Sequence, residues 1–146
     1  MNAQQFLDKN RLINCTKLAE LLEVSSGTIT KMKNDVTRMQ SLALDALHTR
    51  QREENLINID VTEWFDKTNG NSYFSAWVSF KGEDHFLPFQ YGYGSHVEDV
   101  ALKMLSDKGL LPSEWRRYTL ANEYNVHIVT NKTECLKREM FDGSER

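Results

Sequence analysis

The stretch Cys15–Asn34, CTKLAELLEVSSGTITKMKN, decides the fold of the first third of this chain. Its apolar residues recur at the spacing of an amphipathic helix; they are Leu18, Ala19, Leu21, Leu22, Ile29 and Met32. Ser25 follows the first apolar run and offers a hydroxyl that can cap a second helix. The pattern therefore predicts two short helices, about residues 16–23 and 26–33, joined by a tight turn.

This stretch resembles the helix-turn-helix of Cro and lambda-repressor-like proteins. The resemblance is carried by Leu18-Ala19, Leu22, Val24-Ser25, Thr28-Ile29 and Asn34. Two positions differ from the family pattern: Cys15 stands where glutamine is frequent, and Glu23 stands where glycine is frequent at the turn. The resemblance implies a dimeric transcriptional regulator that binds double-stranded DNA sequence-specifically, and together with the small size it suggests a phage or mobile element.

The second predicted helix leaves hydroxyl, amide and ammonium groups on its outward side, which are the groups that a DNA major groove receives. We expect four residues to contact base edges: Ser26, Thr28, Thr30 and Lys31. We expect three residues to hold backbone phosphates: Lys17, Lys33 and Asn34. The competing interpretation is a three-helix protein-contact domain that kept this packing and lost the DNA.

Helical patterns continue on both sides of this stretch. Residues 3–10 form a first predicted helix around Phe6, and residues 38–54 form a fourth. The apolar residues of the fourth are expected to serve the small core, with two alanines at close contacts; they are Met39, Leu42, Ala43, Leu44, Ala46 and Leu47. Residues 1–54 are thus predicted to be an all-α helix-turn-helix domain.

From Leu56 the apolar period changes from helical to two, which predicts strands. The first strand precedes an Asn69-Gly70 turn, the second spans 73–80, and the third, residues 85–91, carries Pro88 and is expected at an edge. A helix follows at about 96–108. Beyond a strand at 125–130, the residues holding Leu136 and Met140 could form a helix or a return strand. The predicted fold class is therefore α+β, with a small antiparallel-sheet domain and one packed helix over residues 55–146.

The second strand separates two sets of side chains. Phe74 and Val78 are expected on the inner face of the sheet, and Tyr73 and Trp77 on the outer face. Tyr and Trp are enriched at protein interfaces. We therefore expect Tyr73 and Trp77 to form a dimer or partner surface. Since residues 1–50 offer few spare apolar groups, residues 55–146 are predicted to self-associate and residues 1–50 alone to be monomeric.

The order helix, three strands, helix is similar to that of a double-stranded-RNA-binding domain. Those domains place lysines at the start of the second helix to hold phosphates. Here the corresponding residues are His96, Val97, Glu98 and Asp99. Two carboxylates at this position would repel a phosphate, so RNA binding is the least favoured of the binding functions.

Charge limits the functional classes further. The chain of 146 residues has a net charge of −3, with seven Lys/Arg against five Asp/Glu in residues 1–50 and eleven against sixteen in the remainder. This balance disfavours non-specific coating of nucleic acid but permits a local basic face. Cys15 and Cys135 have no neighbours at metal-ligand spacing, and no catalytic motif is present. We therefore expect no enzyme activity, metal or cofactor.

The sequence also predicts a cytoplasmic location, in the host cytoplasm if the chain is phage-encoded. There is no apolar run long enough to span a membrane and no apolar signal region at the start. A second functional hypothesis rests on a resemblance in layout to certain phage anti-defence proteins, including anti-CRISPRs. These fuse an autoregulatory helix-turn-helix to a domain that blocks a host protein. The acidic, aromatic second half suits such a partner.

Overall fold

A computed structural model of the chain describes residues 1–137. Over these residues the fold is mixed α/β, with six α-helices and one four-stranded mixed sheet. The helices are α1 (Ala3–Lys9), α2 (Cys15–Leu21), α3 (Ser26–Met32), α4 (Arg38–Glu54), α5 (His96–Asp107) and α6 (Arg117–Glu123). The strands are β1 (Leu56–Asp66), β2 (Asn71–Phe80), β3 (Glu83–Tyr91) and β4 (His127–Glu134).

The chain divides into two compact units that are not contiguous in sequence. The helical unit comprises Met1–Asn55 together with Arg116–His127, and the sheet unit comprises Leu56–Trp115 together with the described residues that follow His127. The chain therefore passes between the units three times. A single boundary at residue 54 had been expected from the sequence, and it would have placed α6 in the second domain.

Polar caps explain where the first four helices begin. Each is preceded by a residue in extended conformation whose side chain accepts a hydrogen bond from a backbone N–H in the first turn; these residues are Asn2, Asn14, Ser25 and Thr37. Such a cap satisfies one of the N–H groups that the first turn of a helix leaves unpaired. The observed helices match the predicted ones to within about two residues at each end, which is the ordinary uncertainty of helix boundaries.

The core of the helical unit is built from the apolar residues that the sequence singled out, with one exception. Its fully buried side chains include Phe6, Leu18, Ile29, Met32 and Leu44. The exception is α4, which buries Leu44 and Leu47 but leaves four other apolar residues exposed: Met39, Leu42, Ala43 and Ala46. The expectation that these four serve the core is wrong, because they lie on the side of the helix that faces away from it.

The sheet has the strand order β3-β2-β1-β4. As expected, β1, β2 and β3 are antiparallel neighbours. Strand β4 makes the sheet mixed: Asn131 bonds to Asp60, and the Cys135 N–H donates to the Glu63 carbonyl, so residue numbers rise together along β1 and β4. The stretch at Asn131 is therefore a strand continuing to Glu134, whereas Met140 lies outside the described residues.

One face of the sheet is covered by α5. The side chains of Ile57, Ile59, Phe74 and Val78 are buried on this inner face. Helix α5 contacts β1 and β2 through an apolar side whose buried members are Val97, Ala101, Leu102 and Leu105. Burial of the two apolar faces against each other is the main stabilising contribution to this unit.

Candidate nucleic-acid interface and aromatic sheet face

The turn between α2 and α3 is closed by a residue in the left-handed region of backbone space. Glu23 has a φ of +55°, and the next residue, Val24, donates its N–H to the Ala19 carbonyl at 3.0 Å. Left-handed backbone costs a residue with a Cβ about 1–2 kcal/mol, and glycine avoids this cost. The turn therefore has the geometry for which glycine is the favoured residue, and Glu23 adopts it under strain.

Helix α3 is anchored by one side and exposes the other. Ile29 and Met32 are buried, with 1% and 2% of their surface exposed. Successive residues of an α-helix are rotated by about 100°, so the residues opposite these anchors can be identified. They are Gly27, Thr30 and Lys31, and Asn34 continues the same side directly after the C-cap residue Lys33; all four are exposed. This set is called the α3 outer face below.

The remaining predicted contact residues lie at the sides of this face. Ser26 is exposed at one edge, whereas Thr28 and Lys33 are half-buried because they flank the anchoring side. The Thr28 hydroxyl lies 3.0 Å from the Ser25 hydroxyl, within the cap of the helix. The structure thus brings Ser26, Thr30, Lys31 and Asn34 together on one surface, and turns Thr28 and Lys33 partly away from it.

Besides Thr28, two more of the predicted DNA-contact side chains already have intramolecular partners. The Lys17 ammonium lies 3.1 Å from the Glu20 carboxylate, and both side chains are largely exposed. The Thr30 hydroxyl donates to the Ser26 carbonyl at 3.2 Å. An exposed ion pair contributes little to stability. A phosphate could therefore compete with Glu20 for Lys17 at small cost.

Gly27 is the member of the α3 outer face that the sequence analysis did not single out. A Cβ built there would have only the Ser25 hydroxyl nearby, at an ordinary contact distance of 3.8 Å. The fold of the helical unit therefore does not require glycine at position 27. A helical wheel centred on Ile29 and Met32 would have shown that the backbone is bare here and that a partner can approach it closely.

A buried polar network holds residues 116–127 within the helical unit. The Asn125 side-chain N–H groups donate to Asn10 Oδ1 and to the His48 carbonyl, both at 2.8 Å. Asn10 and Asn125 are each 1% exposed, and the Asn10 amide also lies 3.0 Å from His48 Nδ1. Since unpaired buried amides are costly, loss of one partner would destabilise the others.

Two histidines of this unit have lowered pKa values. Burial is the main cause of the lowered pKa of His48, and the positive charge of Lys9 lowers that pKa further. Burial likewise lowers the pKa of His127, whose imidazole lies 3.3 Å from Asn125 Oδ1. Nothing in the local sequence could have indicated this network, because its members come from distant parts of the chain.

The outer face of the sheet carries a stacked aromatic cluster. The Tyr73 ring lies between those of Trp64 and Phe89, with centroid distances of 5.3 and 5.2 Å, and Trp77 packs on Phe86 at 4.9 Å. Tyr73 and Trp77 are both half-buried by these contacts. The two predicted surface residues therefore share the outer face, and much of their ring area is already in contact with other rings.

Three aromatic residues with greater exposure lie at the β3 end of this cluster. Phe89, Tyr91 and Tyr93 are 39%, 54% and 68% exposed. A β-bulge explains the position of Phe89: three steps along β3 match two along β2, so Phe86 and Phe89 point to the same side. Sequence reasoning could not place Phe89 on this face, because strict alternation fails at a bulge.

Carboxylates accompany the aromatic face. Asp60 pairs in register with Trp77, and Asp84 pairs in register with Ser79. A surface that joins exposed rings with carboxylates suits a partner bearing basic side chains, because arginine and lysine interact with both aromatic rings and carboxylates.

Comparison of the chain with protein-family models, with curated proteins and with solved structures gave no match. Within the described residues, no helix has both the length and the apolar character needed to cross a membrane. The same residues 1–137 contain no group of three or more His, Cys, Asp or Glu side chains arranged to hold a metal ion.

Proposed function

We propose that this chain is a sequence-specific double-stranded-DNA-binding protein, a transcriptional regulator of phage or mobile-element origin. In this proposal the first four helices are an all-α helix-turn-helix domain, and α3 enters the major groove. The observation that carries the proposal is the α3 outer face. A short helix anchored by Ile29 and Met32 presents a bare backbone position, a hydroxyl, an amide and an ammonium group to solvent.

The proposal gives a role to each of the predicted contact residues. Ser26, Thr30 and Lys31 face base edges, where their donors and acceptors can read sequence. Three residues contact the phosphate backbone, and these contacts position the helix rather than specify sequence: Lys17, Lys33 and Asn34. Thr28, whose hydroxyl is shared with Ser25, orders the helix start and contacts a base only at the margin of the groove.

In the first step of the test, the full chain is used to select the duplexes that it binds from a pool of random DNA sequences. Lys31→Ala should then weaken binding to the selected site by about 1–3 kcal/mol and relax preference at one base position. Lys103→Ala is the matched control, since Lys103 is an exposed helical lysine in the sheet unit. Equal affinities of Lys31→Ala and the wild type for the selected duplex would refute the assignment of α3.

A second candidate function is favoured by the aromatic sheet face. In this alternative the chain is a phage anti-defence inhibitor of the anti-CRISPR type, which binds a host protein through the sheet unit and autoregulates its own promoter through α3. The exposed rings lie at one end of the outer face of the sheet, and Asp60 and Asp84 lie further along the same face; together they support a partner that itself carries a nucleic-acid-binding, basic surface. Tyr73 and Trp77 hold this face in place, and Tyr91 and Tyr93 make the first contacts.

Capture of host proteins by the full chain tests this alternative. A partner that is retained by the wild type should be lost with Tyr91→Ala/Tyr93→Ala and kept with Tyr118→Ala. Tyr118 is a suitable control because it is 75% exposed but belongs to the helical unit. If the captured protein binds the Tyr91→Ala/Tyr93→Ala variant as well as it binds the wild type, the aromatic face is excluded as its binding site.

A further inference from the structure

The α3 outer face contains a small notch where the helix has no side chain. Gly27 lies three residues before Thr30 and four before Lys31, so these two side chains are its neighbours on the helix surface. Apart from the adjoining residues and the backbone of α3 itself, the described residues place only the Ser25 hydroxyl near a Cβ built at Gly27, at 3.8 Å. This position, called the Gly27 notch below, is therefore open to a partner group of about the size of a methyl group.

The side chain of Thr30 offers its methyl group to a partner, because its hydroxyl is already bonded within the helix. The hydroxyl donates to the Ser26 carbonyl of the preceding turn at 3.2 Å. A threonine hydroxyl has one hydrogen to donate, so no side-chain donor is left at this residue. The γ-methyl group branches from the same Cβ in a different direction from the hydroxyl, and Thr30 is exposed. Thr30 therefore adds an apolar group to the same face as the Gly27 notch.

The major groove of DNA presents one group that matches this notch in size and polarity. Thymine carries a C5-methyl group there, and a threonine methyl group is among the protein groups that contact it. The aliphatic stem of Lys31 supplies further apolar surface beside Gly27, while its ammonium group remains available for a neighbouring base. A base edge that needs a hydrogen-bond donor would find none on the side chains of Gly27 and Thr30.

We propose that the Gly27 notch binds the C5-methyl group of a thymine, and that Thr30 contacts this base through its methyl group rather than its hydroxyl. The inference rests on the proposed insertion of α3 into the major groove, and it adds the identity of one base to that proposal. Gly27 and Lys31 are about 6 Å apart along the helix axis, and successive base pairs are about 3.4 Å apart. The thymine should therefore lie within about two base pairs of the position that Lys31 contacts.

The first experiment replaces each thymine of the selected duplex in turn by uracil, which keeps the base pair and lacks only the C5-methyl group. At one thymine the full chain should bind about four-fold more weakly, which is the effect of removing one buried methyl-sized group. That thymine should be close to the position at which Lys31→Ala relaxes base preference. Uracil placed in the flanking DNA outside the selected site is the control, and it should leave the affinity unchanged.

The second experiment identifies the side chain that contacts the methyl group. Thr30→Ser keeps the hydroxyl and removes the methyl group, so this variant should bind the thymine and uracil duplexes equally well. Thr30→Val keeps a methyl group and removes the hydroxyl, so it should still prefer thymine. Thr49→Ser is the matched control, because Thr49 is exposed on α4 and its hydroxyl donates in the same way to the Asp45 carbonyl, at 3.1 Å. This control should prefer thymine as the wild type does.

The outcomes separate the thymine site from the proposed function. If the full chain selects a duplex in which uracil is tolerated at every thymine, or in which no thymine lies near the position that Lys31 contacts, the thymine site is overturned and DNA binding stands. A preference for thymine that survives in Thr30→Ser, or that is lost in Thr30→Val, has the same consequence. If the full chain selects no duplex, the proposed function and the thymine site are overturned together.

Discussion

Gly27→Ala separates the stability of the helical unit from its proposed contact with DNA, because the two should change in opposite directions. Gly27 lies within the first turn of α3, on the outer face. The free protein accepts a methyl group there, since the new Cβ would meet only the Ser25 hydroxyl at 3.8 Å. The substitution therefore removes a flexible residue without introducing a clash.

The gain in stability follows from the conformational freedom of glycine in the unfolded chain. Glycine within a helix is less favourable than alanine by about 0.5–1 kcal/mol. For a unit of this size, 1 kcal/mol raises the melting temperature by about 4–8 °C. Gly27→Ala should therefore raise the melting temperature of the helical unit by several degrees. Thermal denaturation followed by circular dichroism measures this directly.

Binding to DNA should weaken in the same variant. If the α3 outer face lies in the major groove, a methyl group at Gly27 projects towards the bases where the backbone had been bare. We expect a loss of about 1–3 kcal/mol in affinity for the selected duplex, comparable with a lost base contact. Fluorescence anisotropy at fixed salt concentration is the appropriate assay, because phosphate contacts make the affinity strongly salt-dependent.

Asn122→Ala is the matched control. Asn122 is exposed on α6 of the same unit, and alanine there also raises helix propensity. This control should stabilise the unit and leave DNA affinity unchanged. A Gly27→Ala protein that is more stable and binds DNA as tightly as the wild type would refute close approach of this face to the groove. A less stable protein would refute the helical environment inferred for Gly27.

Three further changes test the helical unit itself. Glu23→Gly should relieve the left-handed strain at φ +55° and raise the free energy of unfolding by about 1 kcal/mol, measured by urea denaturation; a loss of stability would contradict this account of the turn. Ile29→Ala should cost about 2–5 kcal/mol and lower the melting temperature, because it truncates a fully buried anchor; an unchanged melting temperature would show that α3 is not held by this residue. Since the pKa values of His48 and His127 are lowered in the folded state, the unfolded state binds more protons below the reference pKa of 6.5. Stability should therefore be constant above that pH and fall as the pH drops below it, and a melting temperature independent of pH across this range would exclude the effect.

Local signals were sufficient to predict the helices around the turn and the three antiparallel strands. The cap at Ser25 and the spacing of Ile29 and Met32 act over a few residues, so they can be read directly from the sequence. The inner face of the sheet was predicted for the same reason, because alternation along a strand is a local pattern. The α3 outer face follows from these anchors by helical geometry alone.

Features that depend on distant residues were not accessible in this way. Helix α6 belongs to the helical unit because Asn125 bonds to Asn10, and no periodic pattern reports a contact between residues 115 positions apart. The exposed side of α4 was misassigned because its apolar residues are numerous enough to suggest a core on more than one side. Only the direction in which Leu44 and Leu47 point, set by tertiary packing, distinguishes the buried side.

The position of residues 116–127 changes what counts as the smallest intact form of the unit for which we propose DNA binding. Leu120 and Val126 are each 1% exposed, and Arg11 is joined to Glu123 both by a backbone hydrogen bond of 2.8 Å and by an ion pair of 2.7 Å. A fragment of residues 1–50 would lose these partners and would leave the buried amide of Asn10 without Asn125. Monomeric behaviour or weak DNA binding by that fragment would then report an incomplete fold rather than a missing dimer contact. Self-association and DNA affinity must therefore be measured on the full chain, which keeps α6 and Asn125 in place.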